Sequence, residues 1–287
     1  MMGKYKQDPV FQAFNPVEIE ADGRSVYNFL GLATRVRYKK GWVKFAPPAG
    51  ARMTPGFPVV NEHYLDWVAV LESVLRAEGA YRFVELGAGW GPWTSAALAA
   101  CRQRSAITDV EAIAVEADSV HYAFMKEHFE INGLNGDGVS LIHGALGAET
   151  GEISFPVIEN PDEDYGASLR QAGQAAATVT VPQYTLEDVF GRLSGPVDFL
   201  HMDVQGVEYD VLPHAMALVK ARAKAVLIGT HISSGRHHAM VALFRDRGWR
   251  IRVDYERGQL CDTPYGLIKI GDGVLVAENP AFIPGDV

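Results

Sequence analysis

One stretch constrains the fold of this chain more than any other: Phe83-Val84-Glu85-Leu86-Gly87-Ala88-Gly89-Trp90-Gly91. Its apolar start reads as a buried parallel strand. Three glycines on alternate positions then allow a tight bend and a close approach of the backbone to a ligand. Pro92 presets a helical φ, so a helix is expected over 93–101. A strand ending in a glycine bend at a helix N-terminus forms a cradle for a nucleotide-like ligand. A glycine-rich turn with no ligand has the same appearance, and that alternative stays open here.

The rest of the chain supplies the sheet. Tyr64, Leu65, Val68, Leu71, Val74 and Leu75 share one helical face, so a helix is expected over 61–78, with Asn61 as N-cap and Gly79 as its stop. Strands are expected at 110–115, 139–143, 197–202 and 225–229. Helices are expected at 119–132, 186–193, from 207 onward with a break near Pro213, and at 238–247. Residues 151–157 alternate as a hairpin extension, and 162–178 reads as a mobile polar loop. Two last strands, 249–255 and 267–276, leave no room for a crossover helix and so form a terminal antiparallel hairpin. This alternation predicts an α/β fold, a mostly parallel sheet with helices on both faces. Residues 1–60 lack a sustained period and read as an N-terminal arm or lid on a domain spanning 61–287. Packing against that domain without touching a substrate is equally open for the arm.

A chain of 287 residues, 48% apolar, can bury one sizeable core plus such an extension. Its net charge of −9 argues against nucleic acid as the main partner, since phosphate binding needs clustered Lys and Arg. Cys101 and Cys261 stand in no metal spacing and read as reduced packing cysteines of a cytoplasmic protein. No apolar run reaches spanning length, and Met1 to Pro9 lacks a signal-peptide pattern, so no membrane partner is expected.

In open α/β sheets ligands lie outside the carboxyl ends of the strands, and that rule ranks the polar residues. Glu85 stands just before the bend. Glu116 ends the second strand, where an acid can accept hydrogen bonds from both ribose hydroxyls or serve only as a helix N-terminal acid. Ala117 follows it, and His143-Gly144-Ala145 leaves room for a flat ring. Asp203 ends a hydrophobic strand, where it can orient or deprotonate a substrate hydroxyl or merely cap the next helix. Gly206 permits a turn and Glu208 begins that helix. His231 ends the adjacent strand as a lateral neighbour of Asp203, suited to proton transfer or to a structural role. His201 reads as a satisfied core histidine, and His237 and His238 as solvated. Asp203 with His231 lacks an obvious third ligand, so no metal is expected. Tyr165 and Ser168 lie where the 162–178 loop could close over a substrate.

Glycine spacing of the form G-x-G-x-G with Glu two residues ahead resembles the first motif of S-adenosylmethionine-dependent methyltransferases rather than the dinucleotide G-x-G-x-x-G. Over about residues 61–280 the chain resembles the FkbM family of these enzymes. Met202-Asp203-Val204-Gln205-Gly206-Val207-Glu208-Tyr209-Asp210-Val211-Leu212 is similar to the family's I-D-V-E-G-A-E-x-x-V-L signature. Glu116-Ala117-Asp118, Asn132-Gly133-Leu134, Ala145-Leu146-Gly147, Thr185-Leu186-Glu187-Asp188 and Asn279-Pro280 fall in the family's order. The resemblance implies a Rossmann-like class I methyltransferase with a seven-stranded sheet, using S-adenosylmethionine to methylate a hydroxyl of a sugar or other natural product. It carries cofactor contacts onto Glu85, Gly87, Gly89, Gly91 and Glu116, with Ala88, Ala117, Ala145 and Asp203 completing the expected set. Asp203 and His231 are the expected base and orienter, in either order, and Glu208, Tyr165 and Ser168 shape the substrate side. Gln205 and His231 depart from the family, which usually has acids there. Two rivals remain at this point. One is an NAD-dependent oxidoreductase, which the glycine spacing and the lack of a Tyr/Lys pair disfavour. The other is a non-catalytic binding module.

Overall fold

The computed structural model describes residues 5–169, 173 and 177–283; the start of the arm, the end of the chain and part of the 162–178 loop lie outside the described residues. Seven strands form the central sheet: β1 (Gly79–Leu86), β2 (Ile107–Glu116), β3 (Val139–His143), β4 (Val197–Met202), β5 (Ala223–Thr230), β6 (Arg250–Tyr255) and β7 (Gly273–Glu278). Their order is β6-β7-β5-β4-β1-β2-β3. The run from β5 to β3 is parallel, and β7 pairs antiparallel with both β5 and β6. The order reverses between β4 and β1, so a crevice opens at their carboxyl ends. Every residue of β4 and β7 is buried, Asp198, His201 and Glu278 among them.

Helices α1 (Tyr64–Arg76), α2 (Pro92–Cys101) and α3 (Ser119–Ile131) cover one face of the sheet, and α4 (Leu186–Phe190), α5 (Glu208–Arg222) and α6 (Ser234–Asp246) the other, each with its own apolar core. The arm joins the first core. Phe11 and Phe29 are fully buried and pack ring against ring with Phe57, Tyr64 and Trp67. Its aromatic residues therefore cover the exposed side of α1.

Several boundaries differ from expectation. α1 begins at Tyr64, because Asn61 accepts a hydrogen bond from the His63 N–H in a preceding turn. Gly79 opens β1 rather than closing α1. α5 runs unbroken through Pro213 to Arg222. The 267–276 strand is two elements: Gly266–Lys269 pairs with Leu260–Thr263 in a small hairpin, and β7 inserts between β5 and β6. Thr178–Tyr184, of which only Thr178 fell in the expected loop, is a strand that pairs with Gly151–Pro156 and Ala145–Leu146. Its Thr-Val-Thr-Val alternation carried the signal, which Pro182 masked. Cys101 and Cys261 are unpaired, and among the described residues no helix is long and apolar enough to cross a membrane.

Candidate functional site

A cavity of about 540 Å³ lies over the carboxyl ends of β1, β2 and β4. Glu85, Gly87, Ala88, Gly89, Glu116, Ala117, Ala145, Tyr165, Ser168 and Asp203 line it. Gly91, Glu208 and His231 stand behind the wall. Gly91 is the left-handed N-cap of α2.

The glycine bend is held as much by packing as by any ligand. Gly87 has φ +76°, and a Cβ there would lie 1.9 Å from the Asp203 carbonyl oxygen, so β1 and the end of β4 can close only on a glycine. Gly89 donates its N–H to Glu116 Oε2 (2.7 Å), while Glu116 Oε1 accepts from the Asp118 N–H (2.7 Å). Two of the four carboxylate lone-pair positions remain. Burial pushes the Glu116 pKa up to about 7, against the pull of the Asp118, Gly89 and Ala117 N–H groups. Glu85 is spent differently. It accepts from the Trp93 and Thr94 N–H groups and from the Thr94 hydroxyl, satisfying the N-terminus of α2. Ala145 and Ala117 keep the β2–β3 side shallow, and His143 donates to the Ala117 carbonyl.

At the other end stands a row of three ionisable residues. Glu208 is fully buried and accepts from the Gly206 N–H (2.8 Å), the His231 N–H (3.2 Å) and His231 Nδ1 (3.0 Å). His231 Nε2 lies 3.0 Å from Asp203 Oδ1, a charge contact whose N–H is not aligned as a hydrogen bond. Desolvation opposes protonation of His231, yet the two flanking carboxylates raise its pKa to about 10. Burial likewise works against ionised Asp203, and His231 and Gln205 more than offset it, holding the carboxyl below its usual range. Gln205 Nε2 donates to Asp203 Oδ1 (2.9 Å), which a glutamate could not do. The Asp203 side chain is 43% exposed, that of His231 only 6%. Backbone strain brackets the pair: Gln205 and Ile232 have φ of +52° and +75°. Positive φ is rare for a β-branched residue, and such strain concentrates at functional sites.

The arm and a distant loop close the top. Tyr165 donates its hydroxyl to the Tyr38 carbonyl (2.5 Å), stacks on His121 at 4.1 Å and meets Trp90 edge-on. Lys40 pairs with Glu163, and the Lys40 N–H donates to the Asp162 carbonyl. Ser168 donates to the Gln205 carbonyl (2.6 Å). Sequence reasoning missed the four tryptophans of the lining, Trp42, Trp67, Trp90 and Trp93. It also missed that His201, bonded through Nε2 to Asp66 at 2.9 Å, leaves Nδ1 without a hydrogen-bond partner beside the cavity. His237 is a correction. It is not solvated but fully buried, bridging Thr230 and Asp254. No group of side chains suited to a metal ion occurs among the described residues.

The site offers carboxylate acceptors at both ends of the cavity. Open lone pairs on Glu116 suit vicinal hydroxyls, small residues flank them, and the Asp203 end carries more carboxylates than cations.

The Methyltransferase FkbM domain model matches residues 79–251. The "Putative methyltransferase" of Jannaschia sp. (strain CCS1) is 31% identical over 241 residues, covering 79% of this chain and 84% of that protein. Among solved structures, the methyltransferase FkbM of Methylobacillus flagellatus KT aligns with TM-score 0.49 and 12% identity over 74% of this chain and 54% of that one. The SAM-dependent methyltransferase of Agrobacterium tumefaciens aligns with TM-score 0.46 and 12% identity over 93% and 71%.

Proposed function

Because the chain belongs to the FkbM methyltransferase family, we propose that it moves the methyl group of S-adenosylmethionine to a hydroxyl oxygen of a small-molecule acceptor, a sugar or other natural product. When bound, that cofactor supplies an electrophilic methyl on a sulfonium sulfur. Glu116 would hold the ribose hydroxyls, Gly87 to Gly89 and Ala88 the adjoining chain, and Ala117 and Ala145 the base. The observation that carries this reading is that Glu116 and Asp203 line one cavity from opposite sides of the glycine bend.

The chain's own groups divide the acid–base work. His231 keeps its proton and both its carboxylates, so it serves as positioning residue rather than base. Asp203, ionised and open to the cavity, accepts the acceptor's hydroxyl hydrogen and takes its proton as the C–O bond forms. A placed base typically contributes about 10²–10⁴-fold, and fixed alignment in a water-poor pocket supplies further rate. Trp90, Tyr165 and the arm exclude water. The two unpaired thiols accord with work in the cytoplasm.

The test has two parts. Calorimetry with S-adenosylhomocysteine reads cofactor binding. Transfer of a labelled methyl group to a panel of hydroxyl compounds reads turnover. Asp203→Asn should bind S-adenosylhomocysteine and lose transfer; a wild-type protein that does not bind it rejects the methyltransferase reading, and an active Asp203→Asn rejects the base.

A further inference from the structure

Residues 35–45 carry five cations (Arg35, Arg37, Lys39, Lys40, Lys44) and no acid, in a chain whose net charge is −9. Arg35, Arg37 and Lys40 are paired with Asp22, Glu127 and Glu163. Lys39 and Lys44 have no carboxylate partner among the described residues and are exposed. Between them a short 3-10 turn, Trp42–Phe45, pushes apolar side chains outward: Val43 is 71% and Phe45 61% exposed. Lys44 Nζ lies 5.0 Å over the Phe45 ring, and Lys39 Nζ 6.0 Å over Trp42. Lys39 and Trp42 line the cavity, as does Val59, which is 74% exposed. The turn that carries Val43, Lys44 and Phe45 therefore adjoins the cavity lining through Lys39 and Trp42.

We propose that this segment docks on an anionic membrane surface, with Val43 and Phe45 entering the headgroup layer and Lys39 and Lys44 meeting lipid phosphates. Exposed apolar side chains gathered at one place mark interaction surfaces. Two features favour a bilayer over an acidic protein or a second copy. The side chains protrude separately from a tight turn, as insertion requires, rather than forming a groove or a flat face. Aromatic and lysine side chains alternate, the pattern in which rings sit at headgroup level while lysine stems cover them and reach for phosphate. Neither signal suffices alone, since stable anchoring takes an apolar and a basic contribution together. Because Lys39 and Trp42 of this segment also line the cavity, docking through it would bring the cavity mouth to the bilayer. Hydropathy alone argued against a membrane partner because it detects spanning segments, and this contact is peripheral. Joined to the methyltransferase reading, on which this last step rests, the docking implies an amphiphilic acceptor that offers its hydroxyl from the membrane surface.

The experiment is co-sedimentation of the full chain with phosphatidylcholine vesicles, with and without phosphatidylglycerol, at low and high salt. Calorimetry with S-adenosylhomocysteine runs in parallel. Wild type should sediment with the anionic vesicles and be released by salt. V43D/F45D should bind them about 100-fold more weakly, and Lys44→Ala about fivefold more weakly. Both variants should keep wild-type affinity for S-adenosylhomocysteine, which shows them folded. Wild type left in the supernatant with both vesicle types overturns the proposal. So does V43D/F45D that sediments like wild type, or a wild-type dimer that the variant dissolves without any vesicle binding. Vesicle binding in a protein that ignores S-adenosylhomocysteine would leave the docking surface standing and remove the acceptor inference with the methyltransferase reading.

Discussion

Glu116→Gln isolates the nucleoside end of the site, and its effect can be worked from the geometry. Two lone-pair positions of the carboxylate are taken by the Gly89 and Asp118 N–H groups, leaving two for ribose hydroxyls. A hydrogen bond to a charged acceptor is worth about 1.5–3 kcal/mol, so the pair amounts to about 3–6 kcal/mol gross. With its pKa pushed up to about 7 by burial, the group is mostly ionised at pH 8, and little of that gain is lost to deprotonation. Glutamine keeps one acceptor oxygen but sets an NH₂ against a backbone N–H. It therefore loses at least one ribose bond and one backbone bond, and S-adenosylhomocysteine should bind about 100-fold more weakly by calorimetry. The pH dependence gives a second readout. A carboxyl whose pKa is raised holds its proton below 7, and ribose binding must expel it. Wild-type affinity should therefore rise from pH 5.5 to 7.5 and then level off, with proton release on binding in the lower range. Glu116→Gln should show neither trend. A variant affinity within about threefold of wild type, or a flat wild-type profile, would refute the ribose assignment.

Other outcomes follow from the same contacts. Gly87→Ala places a Cβ on the Asp203 carbonyl at positive φ; a loss of about 3 kcal/mol or more should lower the thermal midpoint by about 6–12 °C, and an unchanged midpoint would contradict the packing account. Phe29→Ala empties the aromatic contact between the arm and α1, and should cost about 3–5 kcal/mol in denaturant titration, whereas an arm that only rests on the domain would lose almost nothing. Glu208→Gln removes one of the two carboxylates that lift His231 to about 10, so its imidazole resonances should titrate at lower pH. The sign follows from the raised value: the His231 contribution to stability is full below its unfolded pKa and fades as pH rises toward 10, and in the variant it should fade earlier.

The parts of this protein written locally are legible in the amino-acid sequence alone. Phe83 to Gly91 announces a strand, a bend and a helix because chirality and steric exclusion act over a few residues. Met202 to Leu212 marks the second strand end in the same way, and Glu116, Asp203 and His231 can be placed by the rule that strand ends carry the site. Alternation of helix and strand likewise determines the fold class. What spacing cannot supply is the division of labour among neighbours. Only the tertiary fold sets His231 between Glu208 and Asp203, with a carboxylate oxygen 3.0 Å from each ring nitrogen. It also spends Glu85 on the N-terminus of α2, and turns Gly87 toward the Asp203 carbonyl. The arm shows the limit most clearly. Its aromatics have no period, and their partners (Tyr64, Trp67, Trp90, Tyr165) lie far along the chain, so neither the buried Phe11 and Phe29 nor the exposed Val43 and Phe45 could be told apart by residue type. Burial is a property of the assembled neighbours: local sequence states what a side chain prefers, and the packing of distant segments decides which preferences are met.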